Sequence, residues 1–120
     1  MLDLSRGDVV YVDLRGAEGS EKQGRRPCLI VQNDGGNRSS PLTIIAPLTD
    51  STHQGAKYRQ QVLVEAKELG ESAKDSVIEC GHLREIDRDA RIDEEAGVWC
   101  HLSDEVMAKV VEALRASLAL

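Results

Sequence analysis

Arg26 stands directly before Pro27, at the end of a stretch, residues 15–26, that holds three glycines and shows no apolar period. A guanidinium at the root of a strand and beside such a loop offers a permanently charged, planar fork for a phosphate. Lys22 and Arg25 add positive charge on the same loop. Thr49 follows a third apolar run, residues 42–48, where its hydroxyl could donate to a phosphate oxygen on which charge develops. Glu21 is a loop carboxylate of the kind that serves as a base. Taken singly, each has a more common structural explanation: solvated arginines, a threonine bonding its own turn, and a surface ion pair.

His53, His82 and His101 are scattered without a shared motif, His82 being the most interesting. Cys80 and His82, two apart, would share a strand face, but adjacent Cys100 and His101 would point oppositely, and neither spacing matches a structural zinc site. No metal and no cofactor is therefore expected. Cys28, Cys80 and Cys100 are odd in number and contain no C-x-x-C pair, so a reducing cytoplasm is the expected compartment rather than a disulfide framework.

These residues must be positioned by a chain of 120 residues, which suits a single domain over 1–120 with one core. With two Tyr, one Trp and no Phe, that core must be filled by Val, Leu and Ile, which suits β-structure. The net charge of −6 excludes attachment to nucleic acid by bulk attraction. Residues 1–60 nonetheless carry eight Lys/Arg against seven Asp/Glu, whereas 61–120 carry seven against fourteen, so a polyanion site belongs in the first half. No apolar leader or membrane-length stretch is seen.

Residues 9–14 alternate as a strand, 27–31 form a short apolar run, and the Asn33-Asp34-Gly35-Gly36-Asn37 segment reads as a turn. Further strands are expected over 42–48, with Pro47 near its end, over 61–64, 76–80 and about 98–102, with 87–95 ambiguous apart from one possible helical turn. Val106, Met107, Val110, Val111, Leu114 and Leu118 then recur at helical spacing behind Ser103 as N-cap, with Asp104 and Glu105 in the first turn. The expected fold is mainly β (α+β): a small barrel closed by a C-terminal amphipathic helix.

Gly7-Asp8-Val9-Val10-Tyr11-Val12-Asp13-Leu14, Gly19-Ser20-Glu21 and Arg26-Pro27-Cys28-Leu29-Ile30-Val31-Gln32-Asn33-Asp34 resemble the opening of the MazF/PemK toxin family. Asn37-Arg38-Ser39-Ser40-Pro41, Pro47-Leu48-Thr49, Lys74-Asp75-Ser76-Val77-Ile78, Arg84-Glu85-Ile86-Asp87 and Leu102-Ser103-Asp104-Glu105 continue it in order over nearly the whole chain. The resemblance implies an SH3-like barrel, a homodimer, an antitoxin partner, and metal-independent cleavage of single-stranded RNA by attack of the ribose 2′-hydroxyl. It implies Arg26 and Thr49 as the catalytic pair, Glu21 and Ser20 on the loop over the RNA, and Ser76 and His82 as RNA contacts. A guanidinium does not release its proton near neutrality and so is a poor base, and charge stabilisation is the expected role of Arg26. Lys22, His82 and the Arg59-Gln60-Gln61 approach depart from the family pattern, where Gln is usual at the first two, and bear on which RNA is read. The rival reading is a CcdB-like poison that binds DNA gyrase without catalysis, since fold alone does not separate the two.

Overall fold

The structure, a computed structural model, describes residues 2–16, 18, 19, 21, 24–50, 56–70 and 73–120. In chain order the described elements are β1 (Asp8–Asp13), β2 (Arg25–Ile30), α1 (Asp34–Ser39), β3 (Leu42–Asp50), β4 (Gln61–Val64), α2 (Ala66–Leu69), β5 (Ser76–Glu79), β6 (Arg84–Asp87), α3 (Arg88–Arg91), β7 (Val98–His101) and α4 (Asp104–Leu118). The strands pair antiparallel in the order β4-β5-β3-β2-β1-β7, with β6 joined to β3 off that path. The result is a curled half-barrel with α4 against it, the mainly β architecture expected.

Both faces of the central strands are covered, which explains why 27–31 reads as an unbroken apolar run instead of alternating. Val9, Leu29, Ala46, Leu48 and Ile78 pack with Val106, Val110 and Ala113 of α4. Val10, Val12, Cys28, Ile30 and Ile45 pack on the opposite side under Leu4, Ile86 and Ile92. Helix α4 begins where expected, with the Ser103 side chain accepting from the Val106 N–H. Its buried stripe is Val106, Val110 and Ala113, narrower than the apolar periodicity suggests, and Leu118 is exposed.

The segment 33–37, expected as a turn, opens α1 instead: the Asn33 side chain caps it by accepting from Gly36 N at 2.8 Å. An Asx cap satisfies one of the orphan N–H groups of a first turn, so the glycines are tolerated there. Residues 84–87 form a strand that the sequence did not announce, and strand β3 runs on to Asp50, placing Pro47 inside it. The one helical turn expected near 87–95 is α3. Gly7 has φ +100 and a Cβ there would meet the His101 ring at 3.0 Å, so the glycine of the Gly7-Asp8 pair is needed for both conformation and space. Beside it, His101 Nδ1 and Asp8 Oδ1 lie 2.7 Å apart, tying β7 to β1.

One buried polar knot fastens the helical side. Asn37, 2% exposed, donates from Nδ2 to the Gln32 carbonyl at 3.1 Å and accepts at Oδ1 from Thr43 Oγ1 at 2.8 Å. Its own carbonyl accepts from Arg88 Nη1, while Arg88 Nη2 donates to the Leu2 carbonyl at 2.7 Å. Removing the Asn37 amide would strand buried Thr43 and the Gln32 carbonyl. Asn37→Ala is therefore expected to cost about 2–4 kcal/mol in chemical denaturation. A loss under about 0.5 kcal/mol would contradict that role.

Candidate active site

Strands β2 and β3 are paired only over Cys28↔Pro47, Leu29↔Ala46 and Ile30↔Ile45. Beyond Pro47 strand β3 turns to β5, pairing Leu48↔Ile78, Thr49↔Val77 and Asp50↔Ser76. Strand β2 meanwhile stays with β1, through Val12↔Arg26 and Asp13↔Arg25. Continuing the β2–β3 register two residues past Cys28 and Pro47 sets Arg26 opposite Thr49 across the fork. A cleft of about 440 Å³ occupies that fork. Arg26, Thr49, Lys74 and Ser76 give it cationic and hydroxyl groups, while Tyr11 and Trp99 give it aromatic ones. The sequence-derived pair Arg26 and Thr49 thus meets in one cavity although 23 positions separate them in the chain.

Thr49 is also engaged from within the sheet. Its hydroxyl donates to Glu79 Oε1 at a long 3.4 Å. Glu79 is 8% exposed, and Gln61 Nε2 donates to both its oxygens, at 3.0 and 3.3 Å. Gln61 Oε1 in turn accepts from the backbone N–H groups of Lys57 and Tyr58 at 2.9 and 3.1 Å. The chain of contacts holds Thr49 against the rim of the loop before β4. Sequence reasoning missed Glu79 and Gln61. The available signal was an acid inside the apolar 76–80 run, because a buried carboxylate requires partners.

The remaining sequence-derived residues are distributed as follows. Ser76 lines the cleft but is nearly buried, its hydroxyl donating to the Lys74 carbonyl at 2.9 Å. Lys74 Nζ lies 3.6 Å from Asp50 on the rim. Glu21 and His82 line a separate cavity of about 410 Å³ with Leu14, Ile45, Pro47 and Arg84. Within its loop Glu21 accepts from Glu18 N at 3.2 Å. Arg25 is turned to Asp93 at 2.8 Å, and its hydrogen bond holds the Asp93 carboxyl below the usual range. The same guanidinium lies 4.1 Å over the Tyr11 ring. Ser20, Lys22 and His53 lie outside the described residues.

The three thiols are free, and burial pushes Cys28 up to about 12 and Cys80 and Cys100 up to about 11. Cys28 and Cys80 belong to the apolar cores. Metal ligation needs the thiolate, so such packing opposes the zinc arrangement weighed from the sequence. Among the described residues no helix is long and apolar enough to cross a membrane.

The fold is thus a curled antiparallel half-barrel whose strand fork brings an arginine and a threonine to one cleft, among hydroxyl and aromatic side chains. Residues 5–118 match the family model described as PemK-like, MazF-like toxin of type II toxin-antitoxin system, and the chain belongs to that family. It is 45% identical over 117 residues to Endoribonuclease EndoA of Bacillus subtilis (strain 168), covering 98% of this chain and 96% of that one. Among solved structures it is similar to MazF of Deinococcus radiodurans, with a TM-score of 0.80, 24% identity and full coverage of both chains. It is also similar to a mycobacterial endoribonuclease solved with its cognate antitoxin, with a TM-score of 0.73, 22% identity, and 98% and 96% coverage. At those identities the structural likeness shows the fold.

The Thr49–Glu79 contact predicts a coupled effect on turnover. Glu79→Leu is expected to lower kcat on RNA about tenfold with KM unchanged, as for loss of one positioning hydrogen bond. In a Thr49→Val background the same change should do nothing further. Equal losses in both backgrounds, measured by single-turnover cleavage, would show that Glu79 does not act through Thr49.

Proposed function

We propose that this chain is the toxin of a type II toxin–antitoxin pair and cuts single-stranded RNA, mRNA above all, at short sequence motifs. Family membership and close identity to an endoribonuclease support the reaction class. The observation that carries it to particular residues is the meeting of Arg26 and Thr49 across the β2–β3 fork.

The chemistry suited to this cleft is attack by the ribose 2′-oxygen on the adjacent phosphorus. The P–O2′ bond forms as the P–O5′ bond breaks, the 2′ proton passes to water, and the departing 5′-oxygen gains a proton. The products are a 2′,3′-cyclic phosphate and a 5′-hydroxyl. Since the nucleophile is already part of the substrate, the protein's task is orientation and stabilisation of charge. Arg26 neutralises the non-bridging oxygens with its fork of donors, and Thr49 supplies a hydroxyl donor on the other side. The Thr49–Glu79 bond is long, so the hydroxyl proton can be shared with a phosphate oxygen while Glu79 keeps the hydroxyl oriented. Arg26 is not the base, because a guanidinium does not release its proton near neutrality. No step calls for a metal or a cofactor.

Glu21, expected from the sequence as a catalytic residue, lines the second cavity rather than the Arg26 and Thr49 cleft, so this reading moves it to RNA binding with Ser20, Lys22, Arg25, Ser76 and His82. Glu21 and His82, in the second cavity, contact nucleotides away from the cut. Family membership supports an antitoxin partner, whose acidic segment would compete with RNA for the more basic first half of the chain. A homodimer and a cytoplasmic location complete the proposal, the latter supported by three unpaired thiols. The gyrase-poison alternative is not favoured, since the matching family is PemK/MazF and a pure protein binder has no use for the Arg26 and Thr49 pair.

Incubation of wild type and Arg26→Ala with a long single-stranded RNA in excess EDTA tests this reading. Wild type should cut at a recurring motif and leave 5′-hydroxyl ends, and Arg26→Ala should be slower by about a hundredfold or more. Equal rates in the two proteins, or cutting that stops with chelation, would overturn it.

A further inference from the structure

The chain holds only three aromatic residues, and its two cores are built from aliphatic side chains. Two of the three, Tyr11 and Trp99, line the cleft beside Arg26 and Thr49. Their rings stack, with centroids 5.4 Å apart and planes 25° from parallel. The third, Tyr58, is tied through its backbone to Gln61 and so to the Glu79 contact on Thr49. Trp99 is partly buried on β7 and packs against the core, and a Cβ at Gly70, the residue that ends α2, would come within 3.7 Å of its indole Nε1. The indole is held between the core and the Tyr11 ring. Arg25, drawn over Tyr11 at 4.1 Å and anchored by Asp93, braces the ring on which Trp99 stacks.

A fixed aromatic surface beside a phosphate-binding fork matches the shape of a nucleotide, whose base lies a ribose away from its phosphate. Single-stranded nucleic acids are held by such stacking, which any base can supply, while neighbouring polar groups read its edge. Lys74 and Asp50, an exposed cation and anion 3.6 Å apart on the same rim, provide a donor and an acceptor for that edge. We propose that Trp99, braced by Tyr11, forms a stacking subsite for the base of a nucleotide flanking the scissile phosphate, with Lys74 and Asp50 reading its edge. This subsite rests on the ribonuclease reading and adds to it a residue outside the Arg26 and Thr49 pair.

Trp99 is the sole tryptophan, so its emission reports this site alone. The probe is a fully 2′-O-methyl, uncleavable copy of the RNA segment that wild type cuts fastest. Binding should quench Trp99 emission saturably, in step with the affinity measured by competition against cleavage. Trp99→Leu, checked for an unchanged fold by circular dichroism, should raise KM about ten- to a hundredfold and loosen base preference at one position beside the cut. Trp99→Phe, which keeps a stacking ring, should recover most of the affinity. Unquenched emission with bound probe, or a folded Trp99→Leu with wild-type KM and base preference, would overturn the subsite and leave the ribonuclease reading standing. Failure of wild type to cut any RNA would remove both.

Discussion

The departure of β3 from β2 at Leu48 is the constraint on which the site depends. Had the two strands stayed paired to their ends, Arg26 and Thr49 would be neighbours on a continuous sheet with no room for a phosphate between them. Because β3 passes to β5 while β2 stays with β1, the sheet opens at that end. Both strands are anchored where they meet the fork, since Cys28, Leu29 and Ile30 of β2 and Ile45, Ala46 and Leu48 of β3 are buried in the two cores. The cavity thus lies between fixed walls, as transition-state stabilisation by preorganised groups requires. The twist that makes strands diverge is a general property of sheets, and this chain places Arg26 and Thr49 where the divergence begins.

Electrostatics divides the same way. The chain is acidic overall, yet the cleft receives Arg26 and Lys74 against Asp50 alone, and the second cavity balances Arg84 against Glu21 beside His82. The cleft's excess of one positive charge in an acidic protein favours specific polyanion contacts over non-specific attachment. Glu79 is the counterweight. Its buried carboxylate beside Thr49 is held by Gln61, so a negative group sits close to a phosphate site without facing it as an open anion. In the proposed reaction Thr49 shares its one proton between two acceptors, the Glu79 carboxylate that orients the hydroxyl and an oxygen of the bound phosphate.

Much of this was legible in the residues. The strands expected at 9–14, 42–48, 61–64, 76–80 and 98–102 and the capped C-terminal helix follow from apolar periodicity, whereas Arg26 and Thr49 became a pair only through the family resemblance, each alone having a more common structural explanation. What escaped was cross-strand. Glu79 and Gln61 are directly opposite in the β4–β5 ladder, and that pairing has no trace in the spacing of 18 residues between them. Trp99 and Tyr11 likewise meet only because β7 lies beside β1. The helix at 34–39 was hidden for a local reason, since Asp-Gly-Gly normally marks a turn and only the Asn33 cap and the buried Asn37 make it helical. Strand β6 was masked by its charge: of its four residues only Ile86 is buried.

The central claim is that the cleft performs an intramolecular displacement, with the substrate's own 2′-oxygen as nucleophile and the protein supplying charge. Replacing the single ribose on the 5′ side of a mapped cut with 2′-deoxyribose, in excess EDTA, tests this most directly. Cleavage should vanish at that position and persist at unmodified copies of the motif in the same strand. Continued cutting at the deoxy position, with a 5′-phosphate on the product, would mean that water is the nucleophile and would contradict the account.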